Sequence, residues 1–295
     1  MQTLAYLTSA DMVPGHTCVR ADLHELLAQL AALTPALAQH GWTLDLRVWD
    51  DPALNPASYD AIVVGTTWDY HDRAPEFLAA MDRMNTQKPV LNTPSLMRWN
   101  AQKSYLRHLQ RQGVPTIPTL WVDRPTPAAV EDALRTFECD DVVVKRQVGA
   151  CASGQVRART GTPIGPLPQA PCMIQPFLRA AAEHGETSLL YFDGVYSHAV
   201  RKVSAKGDYR VQSVFGGTEV DHDPTPHERD VAQSVLAALP EPALYARVDL
   251  MTGNDGDQKV MEVELIEPYL YPLQGPHMGS HFAEALTRRL STLAR

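Results

Sequence analysis

Apolar residues run along this chain in two alternating rhythms, short unbroken runs and longer stretches with helical spacing. Residues 3–9 (TLAYLTS), 44–50 (LDLRVWD) and 61–65 (AIVVG) read as strands. Between the first two, residues 21–40 (ADLHELLAQLAALTPALAQH) carry apolar side chains at helical intervals and stop at Gly41. A second helix is expected over about 75–84, and PVLN returns as a strand. Strands alternating with helices predict a mostly parallel sheet wrapped by helices, so residues 1–98 are expected to form one α/β domain.

The pattern then changes. Residues 99–175 predict a helix over about 100–112 that carries Lys103 and ends at Gly-Val-Pro. A strand through Leu120 and Trp121, a helix at 127–136 and the strand DVVVK ending on Lys145 follow. A Pro/Gly linker (GTPIGPLPQAP, 161–171) leads into the strand CMIQPFL. In residues 176–295, SLLYFDG and VYSHAVRK flank Asp193-Gly194, a hairpin signal. A helix over 226–238, the strands ALYARVDLM and KVMEVELIE, and a helix over 279–294 complete the expectation, with Asp221, His222 and Asp223 read as loop.

Composition narrows the function classes. The chain is 44% hydrophobic and 20% charged, ordinary for a globular protein, with a net charge of -8. No basic stripe points to nucleic acid and no apolar run reaches the length of a membrane span. The opening residues MQTLAYLTSADMVPGH lack a basic leader and a long apolar core, so no signal peptide is read and a cytoplasmic setting is expected. Cys18, Cys139, Cys151 and Cys172 match no zinc or redox spacing. Self-association is left open.

Chemistry concentrates in the last strand pair. ARVDL places Asp249 on one strand, and VMEVELIE places Glu262 and Glu264 two residues apart on the next. Residues two apart share a face, so pairing of these strands brings three carboxylates to one patch. Such hard oxygen donors suit Mg2+ or Mn2+; the competing reading is a solvated acidic face. Lys103, Lys145, Arg201, Lys202, Arg210 and Arg247 are the cations that could accompany them, although each taken singly reads as surface. Gly149, Ala150, Ser153 and Gly154 form a small-residue loop whose N–H groups could approach an anion, yet neither a P-loop nor a dinucleotide fingerprint is present. His277 and His281 give only a thin zinc signal, and no G-x-S-x-G elbow supports a serine hydrolase.

The order NTPSLMRWNAQKSYLRHLQRQGVPTIPT, VVVKRQVGACASG, MIQPFL, GETSLLYFDGVYSHAVRK, DYRVQSVFGG, ARVDL and VMEVELIEP resembles the ATP-grasp superfamily over most of the chain. The resemblance implies an ATP-grasp fold: an N-terminal α/β domain, then two lobes that clasp ATP. It matches Lys103 and Lys145 to the phosphate lysines and the loop Gly149–Gly154, with Ser153, to the phosphate cover. Gln175, Phe177 and Leu178 match the segment that reads adenine, and Glu183 or Glu186 the ribose carboxylate. Asp249, Glu262 and Glu264 match the metal ligands, Glu264 standing where the family usually has Asn. Arg201 and Arg210, with Lys145, match the cations that handle the transferred phosphate and the acyl-phosphate.

GTTWDYHDRAPEFL, NTPSLMRWN, FDGVYSHAVRK and VMEVELIEPYLY further resemble the O-ureidoserine cyclo-ligases, which close the D-cycloserine ring. That implies a small amino-acid substrate, ATP and Mg2+ or Mn2+, with carboxylate phosphorylation followed by intramolecular attack. The substrate is expected at the carboxyl ends of the first strands, with Ser9, Asp11 and His16 after one and Thr67, Trp68, Asp69 and Tyr70 after another. For Trp68 and Tyr70 plain packing is the competing reading. Two other functions stay open on the residues alone: an intermolecular carboxylate–amine ligase and a catalytically silent nucleotide-binding protein.

Overall fold

A computed structural model describes residues 1–149, 154–180, 184–205 and 216–293. β1 (Gln2–Thr8), β2 (Trp42–Val48), β3 (Ala61–Thr66) and β4 (Val90–Leu91) form a parallel sheet in the order β2-β1-β3-β4. α1 (Leu23–Gln39) and α2 (Ala74–Asn85) make the crossovers, and β3 is buried along its whole length, as its uninterrupted apolar run requires. Gly41 follows α1 with φ +81, the left-handed stop that the sequence signals.

The single helix expected over 100–112 is two, α3 (Pro94–Asn100) and α4 (Tyr105–Arg111). Lys103 sits on the turn between them, not on a helix, and its N–H donates to the Gln147 carbonyl at 2.8 Å. That bond to a distant strand end takes the place of an intrahelical one.

The second sheet holds β5 (Leu120–Val122), β6 (Asp141–Arg146), β7 (Val156–Arg159) and β8 (Cys172–Pro176), all antiparallel, in the order β5-β8-β6-β7. α5 (Pro127–Thr136) covers it through Val130 and Ala133, which pack with Val142, Val144 and Ile174 in a core of their own.

The third sheet is antiparallel: β9 (Glu186–Phe192), β10 (Val195–Val203), β11 (Thr218–His222), β12 (Tyr245–Thr252) and β13 (Gln258–Glu264), ordered β11-β10-β9-β12-β13. Asp193 and Gly194 turn β9 into β10 with φ 51 and 78, both left-handed, as a two-residue hairpin demands. Asp221 and His222, expected in a loop, instead end β11, a short edge strand with few buried positions.

One face of this sheet packs on the helix Pro226–Ala237 through Leu189, Val248, Leu250 and Val263 against Val231 and Val235. The other face is divided. At one end Leu190, Phe192, Val200 and Tyr245 join Leu4, Tyr6 and Leu33 of the first unit and Phe282 and Leu286 of the C-terminal helix Met278–Leu293 in a shared core. At the other end the same face turns polar, and the candidate site begins there.

Candidate active site

β12 and β13 pair with Asp249 opposite Glu262 and Arg247 opposite Glu264. The alternation of the strands therefore places all four on one face, as the spacing predicts. On the neighbouring strands Ser188 lies opposite Asp249, and Lys202 opposite Glu186.

The charges interlock. The Arg247 guanidinium donates to Asp249 at 2.9–3.2 Å and to Glu264. The Ser188 hydroxyl donates to Asp249 at 2.6 Å, and the Lys202 ammonium binds Glu186 and stands 3.4 Å from Asp249. Lys103 reaches from its turn to Glu262 at 2.8 Å and to the Gly149 carbonyl at 2.8 Å. Burial alone would raise the Asp249 carboxyl, but Arg247, Lys202 and the Ser188 hydroxyl hold it well below the usual range. Burial lifts Glu264 to about 7, with repulsion from Asp249 and Glu262 added and Arg247 opposing. Glu267, just beyond β13, is raised well above its ordinary value by burial and by Glu264 and Glu262.

The donor set fits a divalent cation in chemistry and in charge. It is made of hard carboxylate oxygens, and burial together with the neighbouring acids Asp249 and Glu262 disfavours the charge on Glu264, which a cation would offset. Among the described residues the carboxylates engage Arg247, Lys103 and Lys202, and no three acidic, His or Cys side chains are grouped as a metal cage.

The Lys145 side chain, near the end of β6, makes no ion pair or hydrogen bond among the described residues. Burial lowers its ammonium, Lys103 repels it, and Glu262 and Glu186 pull the other way. Gly149 has φ +151, a backbone conformation that strains any residue with a Cβ, and a Cβ there would press on the Arg146 guanidinium at 3.2 Å. Gly154 is likewise left-handed at φ +68. Ser153, Glu183 and Arg210 lie outside the described residues.

Several expected contacts are already engaged elsewhere. Phe177 donates its N–H to the Asp141 carbonyl at 2.9 Å and its carbonyl accepts from Asn254 at 3.0 Å, so its main chain does not present a free edge. Leu178 is buried beside it. Gln175 is buried, donates to Thr119 at 3.0 Å and leaves its side-chain amide oxygen without a partner among the described residues. Glu186 is bound to Lys202, deep on the acidic face.

Arg201 requires a correction. It faces the opposite side of the sheet from the acidic cluster, 3.2 Å from His222, beside Thr187 and Glu228 in a cavity of about 210 Å³. Lys202, the next residue, is the cation of β10 that enters the cluster. A bulge between Tyr196 and His198 resets which residues of β10 face which way, so counting from the turn does not fix the face.

In the first unit, Ser9 is buried and donates to Asp11 at 2.5 Å, and Thr67 is buried with its hydroxyl unpartnered among the described residues. His16 is exposed, its Nδ1 accepting the Cys18 N–H at 3.2 Å. Asp69 is held structurally, accepting from the Trp49 indole at 2.9 Å and from Arg73 at 2.7 Å. Tyr70 packs on Phe77 with ring centres 5.2 Å apart, and burial, with Glu267, Glu262 and Glu264 adding to it, raises its hydroxyl well above the ordinary value. The Trp68 indole donates to the Glu267 carbonyl at 2.9 Å and thereby ties this turn to the end of the acidic strand. Glu267 was legible only as the last acid of VMEVELIE, with no spacing rule to single it out.

A parallel-sheet unit followed by two antiparallel sheets, with lysines and carboxylates meeting between them, is the architecture of an ATP-grasp ligase. Residues 164–269 match the prokaryotic glutathione synthetase ATP-grasp domain. The D-alanine–D-alanine ligase of Bacillus anthracis shares the fold at a TM-score of 0.67 with 14% identity, over 99% of this chain and 97% of that one. Residues 4–92 match the D-cycloserine synthetase DcsG N-terminal domain. The cycloserine biosynthesis protein DcsG of Streptomyces lavendulae is 33% identical over 271 residues, 85% of this chain and 90% of the relative. A crystal structure of D-cycloserine synthetase DcsG superposes with a TM-score of 0.82 at 30% identity, covering 98% of this chain and 99% of that one. The chain belongs to the DcsG family of ATP-grasp ligases. It is thus an enzyme, a carbon–nitrogen ligase that uses ATP, and none of its described helices is long and apolar enough to cross a membrane.

Proposed function

We propose that this enzyme closes the isoxazolidinone ring of D-cycloserine from O-ureido-D-serine. ATP phosphorylates the substrate carboxylate, the ureido nitrogen attacks the acyl-phosphate within the same molecule, and the carbamoyl group is lost to water. The observation that carries this reading is the meeting of Lys103, Lys145 and the Asp249–Glu262–Glu264 face beside a turn of the first unit, Thr67–Tyr70, that is pinned to Glu267. The similarity to DcsG supports the choice of substrate.

In this reading Lys145 and Lys103 neutralise the ATP phosphates, and the small-residue loop around Gly149 lets its backbone approach them. Asp249, Glu262 and Glu264 would hold Mg2+ or Mn2+, which supplies positive charge to the transferred phosphoryl group when bound. Arg247, fixed by two carboxylates, presents a rigid cation to the developing oxyanion. Ser9, Asp11 and Thr67 offer polar groups to the small acid, and holding both of its reacting ends in one pocket supplies the proximity that an intramolecular closure exploits.

The test is incubation with O-ureido-D-serine, ATP and Mg2+, following ADP and the ring product by mass. ADP and D-cycloserine formed together, with no added amine, is the expected result. ADP formation that requires an added amine would show an intermolecular ligase instead. Tight ATP binding without turnover on any acid would leave only a nucleotide-binding protein.

A further inference from the structure

Seven buried side-chain polar atoms lack a hydrogen-bond partner among the described residues, and two of them, Thr67 Oγ1 and His71 Nδ1, belong to one turn. Buried polar atoms are almost always satisfied, so two orphans on one turn ask what partner the turn awaits. The turn is not loose. Asp69 is clamped by Trp49 and Arg73, Trp68 by the Glu267 carbonyl, and Tyr70 by Phe77. It follows β3 at the carboxyl end of a parallel sheet, where such sheets hold ligands.

His71 keeps 18% of its side-chain surface exposed, and its Nε2 stands 3.7 Å from the exposed Asp72 carboxylate. That neighbour favours the proton on Nε2 and leaves Nδ1, on the buried edge, as a lone-pair acceptor. The charged groups facing the ring are Asp72 and Asp69 on its own turn, Arg146 from the end of β6 and Arg20 from the segment after β1. Burial, then the two guanidiniums, disfavour the imidazolium, against the opposing pull of Asp72 and Asp69, so the ring is lowered below its ordinary value and neutral at pH 7.

We propose that His71 Nδ1 is the proton acceptor in ring closure, with the Thr67 hydroxyl orienting the substrate beside it. The assignment rests on the cyclo-ligase reading above. As the ureido nitrogen bonds to the acyl carbon, the bond from that carbon to the phosphate oxygen breaks, and phosphate leaves with the electron pair. The proton of the attacking N–H passes to Nδ1 and then to solvent.

The experiment separates the two chemical steps of the full-length enzyme with ATP, Mg2+ and O-ureido-D-serine. Hydroxylamine traps the acyl-phosphate, and mass detection follows the ring. His71→Gln is expected to form the hydroxamate at least as fast as the wild type while ring closure slows by roughly 10²–10⁴-fold. The wild-type advantage should shrink as pH falls below 6.5, because protonation silences only the enzyme that has the imidazole. His71→Gly should regain ring closure with added imidazole. A pH-independent ratio without imidazole rescue overturns the proposal, and so does a variant that loses hydroxamate formation as well, which would place His71 in folding or binding. A wild type that yields neither hydroxamate nor ring product from this acid overturns the cyclo-ligase reading itself.

Discussion

Lys202 and Lys145 are both lysines at the end of apolar strands, and their surroundings give them different work. Lys202 is 6% exposed, bound to Glu186 and close to Asp249, and both acids hold its charge against burial. Its removal leaves the buried Glu186 without its cation and Asp249 with Arg247 alone, a loss that costs roughly 3–5 kcal/mol. Lys202→Met should therefore lower the unfolding free energy by about that amount in urea melts, whether or not ATP is present. Among the described residues the Lys145 side chain has no ion pair or hydrogen bond to lose, and burial already disfavours its charge. Lys145→Ala should leave the urea midpoint unchanged and weaken ATP binding by roughly 10- to 100-fold, the worth of one charge-assisted hydrogen bond. Calorimetric titration with ATP reads that change, and an unaltered affinity would remove Lys145 from the phosphate site.

At the scale of elements, the sequence announced most of what it could announce by pattern. The buried runs of β1, β3 and β6, the stop at Gly41 and the Asp193-Gly194 hairpin were legible because each rests on a local rule. The convergence of Asp249, Glu262 and Glu264 was legible for the same reason, since strand alternation puts them on one face. What stayed hidden depends on tertiary partners. Lys103 leaves helical geometry because Gln147 accepts its N–H, and β11 is a mostly polar edge strand that gives no apolar rhythm. Arg201 was preferred over Lys202 because the bulge in β10 cannot be seen in the residue pattern.

Helix packing shows the same dependence on what lies across from a residue. Gly279 sits in the C-terminal helix, where glycine is a poor helix former, yet a Cβ there would stand 2.2 Å from the Ala32 carbonyl of α1. The gain in propensity from Gly279→Ala is about 1 kcal/mol. Prying two helices apart in a packed core costs more, typically 1–3 kcal/mol for overpacking alone. The variant should therefore be less stable than the wild type by thermal melting, and a raised midpoint would mean that α1 can retreat freely.

Across the whole molecule, side chains of the first unit and of the helices after it hold the main chain around the acidic strand. Asn92 donates to the carbonyls of Tyr245 and Leu265 at 2.9 and 2.8 Å and accepts the Leu244 N–H at 2.6 Å. Asn100 bridges Val263 and Leu265, and the Tyr245 hydroxyl reaches back to the carbonyls of Val64 and Ile266. All of these groups are buried, and the apolar core beneath them is shared by the first and third sheets. The sheet β5-β8-β6-β7 has its own core. It meets the rest through Met173 and Trp121, which pack into the core of the third sheet, and through Gln147 with Lys103 and Phe177 with Asn254. This arrangement suits an enzyme in which the lysine-bearing sheet adjusts to ATP while the acidic strand and the substrate turn keep a fixed relation. Asn92→Ala would strand a buried N–H, at about 1–3 kcal/mol for each unsatisfied group. Amide hydrogen exchange on that variant should show protection falling together in β1, β3, β12 and β13, with β6 and β8 little changed. Loss confined to β1 and β3 would mean that the first unit opens alone and that the acidic strand does not depend on it.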